Sequence, residues 1–526
     1  MERRVLLAIF LAFLTLYLWQ ALVMPPPEPA DVAGSAPSSV AVRDAAVAPK
    51  PETPAPSPPA EPASSPVVAD SAEREIRVET NEVIATFTNR GARLKSWRFK
   101  HHHNSEGEPL ELVVDDAVAG GTLPFSLRLD DAALTKTLNQ ALYTVRGAPP
   151  AEGVISGPAQ IAFEYRDSAG LLAVKEFQLA PSSYVLGFRA DVRQGDQALA
   201  PGIEWGPGLG REPSAAGGFG SYTLQPEGIV SVANEEERIP TAAVAEQPSR
   251  QGDFQFAGIE DHYFMAAALY PGASTISFHP VTGPPPPGSE EGRQLMNFVL
   301  QPGTQGEALR FYIGPKDFDE LAAVDRSLVR AINFGMFAVL VVPLLRALDW
   351  VNGFVGNYGW SIIVLTILIN AAMFPLRHKS VVSMRRMQEI QPEAKAIQDR
   401  YKNLKSTDPA KQKMNQELMA LYRERGVNPA SGCVPMLLTL PVLLAFYSLL
   451  STSIELRGAP FIGWIHDLSR YDPYYVTPVL MGITQVWQTR LTPQTGVDPA
   501  QQKLMMFMPV MFMVFFLWAP AGVALY

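Results

Sequence analysis

The C-terminal third sets four apolar stretches one behind another, at residues 360–374, 433–454, 474–487 and 504–518, and none contains an Asp, Glu, Lys or Arg. A backbone in hydrocarbon must satisfy its own polar groups, so such a series reads as a bundle of membrane helices. Several of the stretches are nearer 15 residues than the roughly 20 that cross an average bilayer. Short spans thin the bilayer, or are completed by flanking Tyr and Trp at the interface. A fifth run, residues 334–345, ends near Pro343 and Arg346 and is too short to span. It reads as an amphipathic helix lying in the outer interface over 331–349, or alternatively as core of the preceding domain.

Charge sets the orientation. The chain carries a net charge of -9, unevenly spread. Residues 25–330 hold 40 acidic and 24 basic side chains, whereas residues 376–430 hold 12 basic and 6 acidic. The N-terminus reads MERR followed by an apolar run over 5–23. That run exceeds the roughly 7–15 residues of a signal core and lacks a small-x-small cleavage site, so residues 1–24 are expected to be an uncleaved anchor. Arg3 and Arg4 hold its start in the cytoplasm, and the basic 376–430 segment also falls inside. Residues 25–71, rich in Pro and Ala, cannot bury enough apolar area to offset ordering entropy and read as a disordered tether. The lone Cys433 excludes an intrachain disulfide, so the exported part depends on its own core.

Residues 72–330 alternate polar and apolar side chains over short runs, as in EIRVETNEVIATFTN (75–89), QIAFEYRD (160–167) and YVLGFRADV (184–192). Alternation of period two between Gly and Pro marks antiparallel strands, here in a large sandwich. No catalytic or metal site is expected. Glu260 with Asp261 and Asp115 with Asp116 carry no informative spacing. The run His101–His103 reads as a solvated loop, since adjacent strand histidines point to opposite faces.

Residues 380–404 place Met384, Met387, Ile390, Ala394, Ile397, Tyr401 and Leu404 at helical spacing. STDP then breaks the helix, with Asp408 as cap and Pro409 at the first position of a second helix that ends at Gly426. The result is a helical hairpin over 377–430, either a solvated loop between spans or a docking arm. Its Arg385, Arg386, Lys395, Arg400 and Lys402 suit ribosomal RNA or lipid phosphates, although topology alone also explains them.

FPLRHKSVVSMRRMQEIQPE (374–393), VNPASGCVPMLLTLPVLLAFYSLL (427–450), PFIGWIHDLSRYDPYYVTPVLMGIT (460–484) and QQKLMMFMPVMFMVFFLWAPAGVALY (501–526) occur in this order. Together they resemble the YidC family of membrane protein insertases (YidC/Oxa/Alb) of Gram-negative bacteria, over essentially the whole chain. The resemblance implies an α-helical membrane bundle plus an all-β periplasmic supersandwich, with an N-terminal anchor helix and a cytoplasmic helical hairpin. It implies a non-enzymatic insertase and chaperone of the inner membrane, without cofactor. Clients enter a hydrophilic groove open to cytoplasm and lipid. The implied partners are nascent inner-membrane proteins, the Sec translocon (SecYEG, SecDF), the ribosome through the hairpin, and membrane lipids. The family carries a basic residue on the first span of the bundle. Alignment on FPL puts that position at Asn370, so this chain departs from the pattern. It also ends at Tyr526, where the family continues into a last span, so the insertase transmembrane domain over 350–526 is expected to have its last span truncated.

An isolated charge in lipid costs about 2.5–3.5 kcal/mol by insertion scales, and a hydrated cavity lowers that cost for a client's polar segments. Thr366 and Asn370 share one helix face. With Thr439 and Gln485 they line a groove, or else bond helix to helix without further role. Met508 lies in a run of Met and Phe that either repacks around varied clients or simply faces lipid. Arg377, seven residues after Asn370, is either the positive charge at the groove mouth or only a topology signal. A secondary transporter would want inverted repeats and midplane charges. A membrane-anchored periplasmic glycan-active protein would want paired carboxylates in the sandwich. Neither set is evident.

Overall fold

In the computed structural model the alternating segments fold as strands with the expected parity. The structure describes residues 66–526 apart from 105–106, 115–121, 148–157, 211–225, 284–292, 305, 402–409, 427–433 and 492–498. The anchor, most of the tether, Asp115, Asp116, Asp408, Pro409 and Cys433 therefore lie outside the described residues.

A four-stranded sheet runs in order through β1 (Glu75–Glu79), β2 (Val83–Thr88), β3 (Arg93–His103) and β4 (Pro109–Glu111). A 14-stranded sheet is built around β5 (Ala159–Asp167), β6 (Leu171–Leu179), β7 (Val185–Gln194), β8 (Ser249–Glu260), β9 (Phe264–Gly283), β10 (Arg293–Gln301) and β11 (Leu309–Pro315). Its pairs are antiparallel, for example Phe177 opposite Phe188 and Ala266 opposite Ile313. The two sheets meet face to face. Phe87 tilts against Phe177 with centroids 4.7 Å apart, Phe99 stacks on Phe264 at 5.1 Å, and the buried Trp97 indole donates to the Ile313 carbonyl at 3.1 Å. The domain begins earlier than residue 72. Pro66–Val68 is already a strand paired with β5, because hydrogen bonding to a sheet edge offsets the ordering entropy that its composition alone does not. His101–His103 ends β3 rather than forming a loop, with only His102 turned inward, edge-on to the stacked Phe99 and Phe264 rings. Glu260 is buried and paired with Arg238 at 2.8 Å and Lys316 at 3.2 Å, a structural network rather than a catalytic pair.

A short helix α1 (Phe318–Val324) leads into α2 (Ala338–Val355). Helix α2 is longer than the 334–345 run suggests, and it passes through Pro343 and Arg346. The guanidinium of Arg346 sits over the Phe318 ring at 5.6 Å, and Asp349 accepts from the Tyr358 hydroxyl at 3.4 Å, so these charges have partners and do not end the helix. Val341, Leu345, Leu348 and Val351 form its buried stripe, while Val339, Trp350 and Phe354 are exposed. Helix α3 (Tyr358–Glu389) is continuous for 32 residues and runs through Pro375. By length and composition, Ala338–Val355 and Tyr358–Pro375 are long and apolar enough to cross a membrane.

The hairpin is not one helix over 380–404. Helix α3 stops at Glu389, and α4 (Gln391–Arg400) starts afresh, because Pro392 has no N–H to continue the α3 ladder. Helix α5 (Ala410–Glu424) returns, with Gly426 left-handed at its end. Ion pairs Arg425–Glu393 at 2.7 Å and Arg400–Glu417 at 3.4 Å tie α5 to α4. The described α-helices that follow the hairpin are α6 (Val434–Thr452), α7 (Val476–Leu491), α8 (Pro499–Phe516) and α9 (Ala521–Leu525).

Candidate functional site

The core of the bundle gathers at one end. On α3 its buried side chains are Ser361, Ile362 and Leu365, in the first turns; on α6 they are Ala445, Phe446, Leu449 and Leu450, toward its C-terminus. On α7 the buried residues are Pro478 and Gly482, in the first half. A lid of chain covers this end. Ile454, Leu456, Ile465 and Leu468 are buried, and α9 is tied beneath them by Ala521 N–H to the Arg470 carbonyl (2.7 Å) and Gly522 N–H to the Leu468 carbonyl (3.0 Å). Gly359 permits this closure, since a Cβ there would stand 2.1 Å from Phe461 Cδ2. Beyond Leu365 none of the described side chains of α3 is buried, and Ile367, Leu368 and Phe374 are exposed. Among the described residues the bundle is thus packed toward the β domain and exposed toward the hairpin.

The polar line that the sequence places on α3 lies in the open part. Thr366 Oγ1 donates to the Ile362 carbonyl at 2.7 Å, and Asn370 Nδ2 donates to the Thr366 carbonyl at 2.8 Å. Arg377 Nη1 then donates to Asn370 Oδ1 at 2.6 Å. Seven residues are about two turns and roughly 10.5 Å of axis, so the guanidinium reaches back along its own helix. The three side chains are half-buried. A charge-assisted bond holds the cation where the neutral amide stands. Tyr526 is within electrostatic range of Arg377, and its ring stacks on buried Phe446 with centroids 4.3 Å apart. Tyr526 and Phe446 are neighbours that spacing arguments on α3 do not reach. The arrangement can solvate and attract a negative or polar group; it holds no nucleophile with an adjacent base.

The other expected groove residues stand apart from this line. Gln485 is half-buried on α7, and its carbonyl accepts from Thr489 Oγ1 at 2.8 Å. Met508 is exposed on α8. Helices α7 and α8 are packed closely where Gly482 meets Met513, whose Sδ would lie 2.7 Å from an added Cβ. Thr439 belongs to α6, with its side chain outside the described residues. Among the described residues no group of His, Cys, Asp and Glu is arranged to hold a metal.

Comparison with known proteins adds two family matches. Residues 350–526 match the family described as 60Kd inner membrane protein, and residues 75–347 match the YidC periplasmic domain. The chain is similar to the membrane protein insertase YidC of Geobacter metallireducens, with 34% identity over 100% of this chain and 95% of the relative. It is 32% identical to the same-named protein of Syntrophus aciditrophicus, over 100% of this chain and 96% of that one. A solved structure titled as an active YidC insertase with its first transmembrane domain resolved matches 88% of this chain and 92% of that chain at 19% identity, with a TM-score of 0.34.

Proposed function

Since the chain belongs to the YidC family of membrane protein insertases, with nascent membrane proteins as substrates and the inner membrane as its place, we propose that Arg377 does the work of the basic groove residue whose position Asn370 occupies. The observation that carries this reading is the 2.6 Å bond from Arg377 Nη1 to Asn370 Oδ1. It draws a side chain rooted near the hairpin back toward the interior of the bundle. A guanidinium keeps much of its hydration there only if the cleft is wet, and a wet cleft lowers the cost of bringing a client's polar loop into the bilayer. The client's apolar segment then leaves sideways into lipid.

In this reading the anchor and β domain lie outside the open cleft, with the 72–330 and 455–472 segments periplasmic and the 380–430 and 490–503 segments cytoplasmic. The N-terminus is cytoplasmic. The hairpin meets the ribosome or the client, and the bundle works alone or beside SecYEG and SecDF. Thr366, Asn370, Arg377, Thr439, Gln485 and Met508 line the client path. The test is site-specific photocrosslinking to a ribosome-stalled membrane protein. Probes at Thr366 and Met508 capture the client, and a probe at the exposed Trp350 on α2 does not. Capture from Trp350 as strong as from Thr366 removes the groove assignment.

A further inference from the structure

Helix α3 outlasts the membrane it crosses. Thirty-two residues rise about 48 Å at 1.5 Å each, against a hydrocarbon core of roughly 30 Å. Trp360 is exposed beside Phe461 at the packed end, the position of an interfacial anchor. Residues 378–386 then lie about 27–39 Å further along the axis, spanning the headgroup band on the hairpin side.

At that level the surface holds a cavity of about 210 Å³ lined by His378, Lys379, Val382, Ser383, Arg386 and Gly426. His378, Val382 and Arg386 are successive fourth residues, as are Lys379 and Ser383, so all five share one face of α3. Gly426, where α5 ends, closes the side. Three potential cations converge without a carboxylate in the lining. His378, Lys379 and Arg386 have no ion-pair partner among the described residues, whereas the hairpin's Arg400 and Arg425 are paired with glutamates. Toward the membrane the same side of the helix continues as exposed Leu368 and Phe374, and the Phe374 ring lies over the His378 ring at 5.9 Å. Apolar surface therefore runs directly into a basic pocket at the depth of lipid phosphates.

We propose that this pocket is a headgroup site for an anionic phospholipid of the leaflet on the hairpin side, its phosphate held by Lys379 and Arg386 and its acyl chains lying along Phe374 and Leu368. An RNA phosphate would find cations there but no use for the apolar strip. The proposal takes from the function above only which leaflet is concerned, and its test does not measure insertion. Full-length protein in detergent is titrated with dioleoylphosphatidylglycerol or dioleoylphosphatidylcholine and bound lipid is counted by native mass spectrometry. Wild type retains phosphatidylglycerol preferentially, and Lys379→Gln with Arg386→Gln reduces that preference by about tenfold or more. Lys413→Gln with Arg423→Gln removes the same charge from α5 and leaves the preference intact. Equal loss in both double variants reduces the effect to net charge and overturns the site. Unchanged preference after Lys379→Gln with Arg386→Gln overturns it too. Displacement of the lipid by inorganic phosphate or by a short single-stranded RNA at equal phosphate concentration assigns the pocket to those anions instead.

Discussion

Lys175 shows how much a single residue of this fold decides. Strand β6 reads LLAVKEFQL, with Leu171, Ala173, Lys175, Phe177 and Leu179 all turned inward. Period two is enough to put the lysine inside, but not to say what receives it. The structure supplies three carbonyls, Gly91 at 2.6 Å, Phe125 at 2.8 Å and Ala92 at 3.2 Å, all outside β6. Burial, and then the nearby Arg93, pushes its ammonium well below the usual lysine range. Lys175→Met leaves those carbonyls unpaired in a dry core at about 1–3 kcal/mol for each buried group. The full-length variant should unfold several degrees lower when followed by tryptophan fluorescence in detergent; an unchanged midpoint would mean that the carbonyls find other donors. Asn370 and Arg377 are the parallel case in the bundle. Their seven-residue spacing is visible in LINAAMFPLR. Whether helix geometry survives Pro375 between them is not, and the 2.6 Å bond depends on it.

Elements are legible in the sequence where periodicity is strict, and less so where a charge interrupts an apolar run. Strands over 75–79, 159–167 and 185–194 follow the alternation closely. Helix α2 outran its apolar core because Arg346 and Asp349 find partners on α1 and α3. The break at Pro392 was hidden by apolar spacing that carries on across it. The seam between β domain and bundle was not legible at all, since its contacts join residues far apart in the chain. His262 Nε2 meets the Ser451 carbonyl at 2.7 Å, and Arg457 lies over the Tyr263 and Phe264 rings at 5.8 and 5.4 Å. Burial, then Arg457 and the adjacent His101 and His103, pushes His102 down to about 4. Burial, with Lys316 and against the Ser451 carbonyl, lowers His262. Both titrate lower folded than unfolded, where histidine sits near 6.5. The contribution of His102 is therefore complete above about pH 6.5 and is lost as pH falls toward about 4; that of His262 is lost in the same direction. Limited proteolysis across the 455–472 loop should accelerate between about pH 6.5 and 4 in wild type, and less so in His102→Gln. A profile identical in both proteins would remove the seam histidines from the account.

At the scale of the whole molecule, two bodies with different solvents share one chain. The β domain is closed by two facing sheets, and among the described residues the buried side chains of the bundle gather where it touches that domain. An insertase has use for this asymmetry, because a client must be admitted from one side and released sideways. The order of segments, and the family they resemble, were readable from four motifs; the asymmetry of burial was not, because it depends on which half of each helix finds a neighbour. We propose that the positive charge of the cleft stands at Arg377 rather than at position 370. The most direct measurement is the insertion rate of a client with an acidic translocated tail, in Arg377→Gln and in Arg377→Gln with Asn370→Arg. The first variant should slow insertion by about tenfold, the effect of roughly 1.4 kcal/mol, and the second should restore it. Normal insertion of the acidic client by Arg377→Gln would contradict the claim and leave Arg377 a topology signal alone.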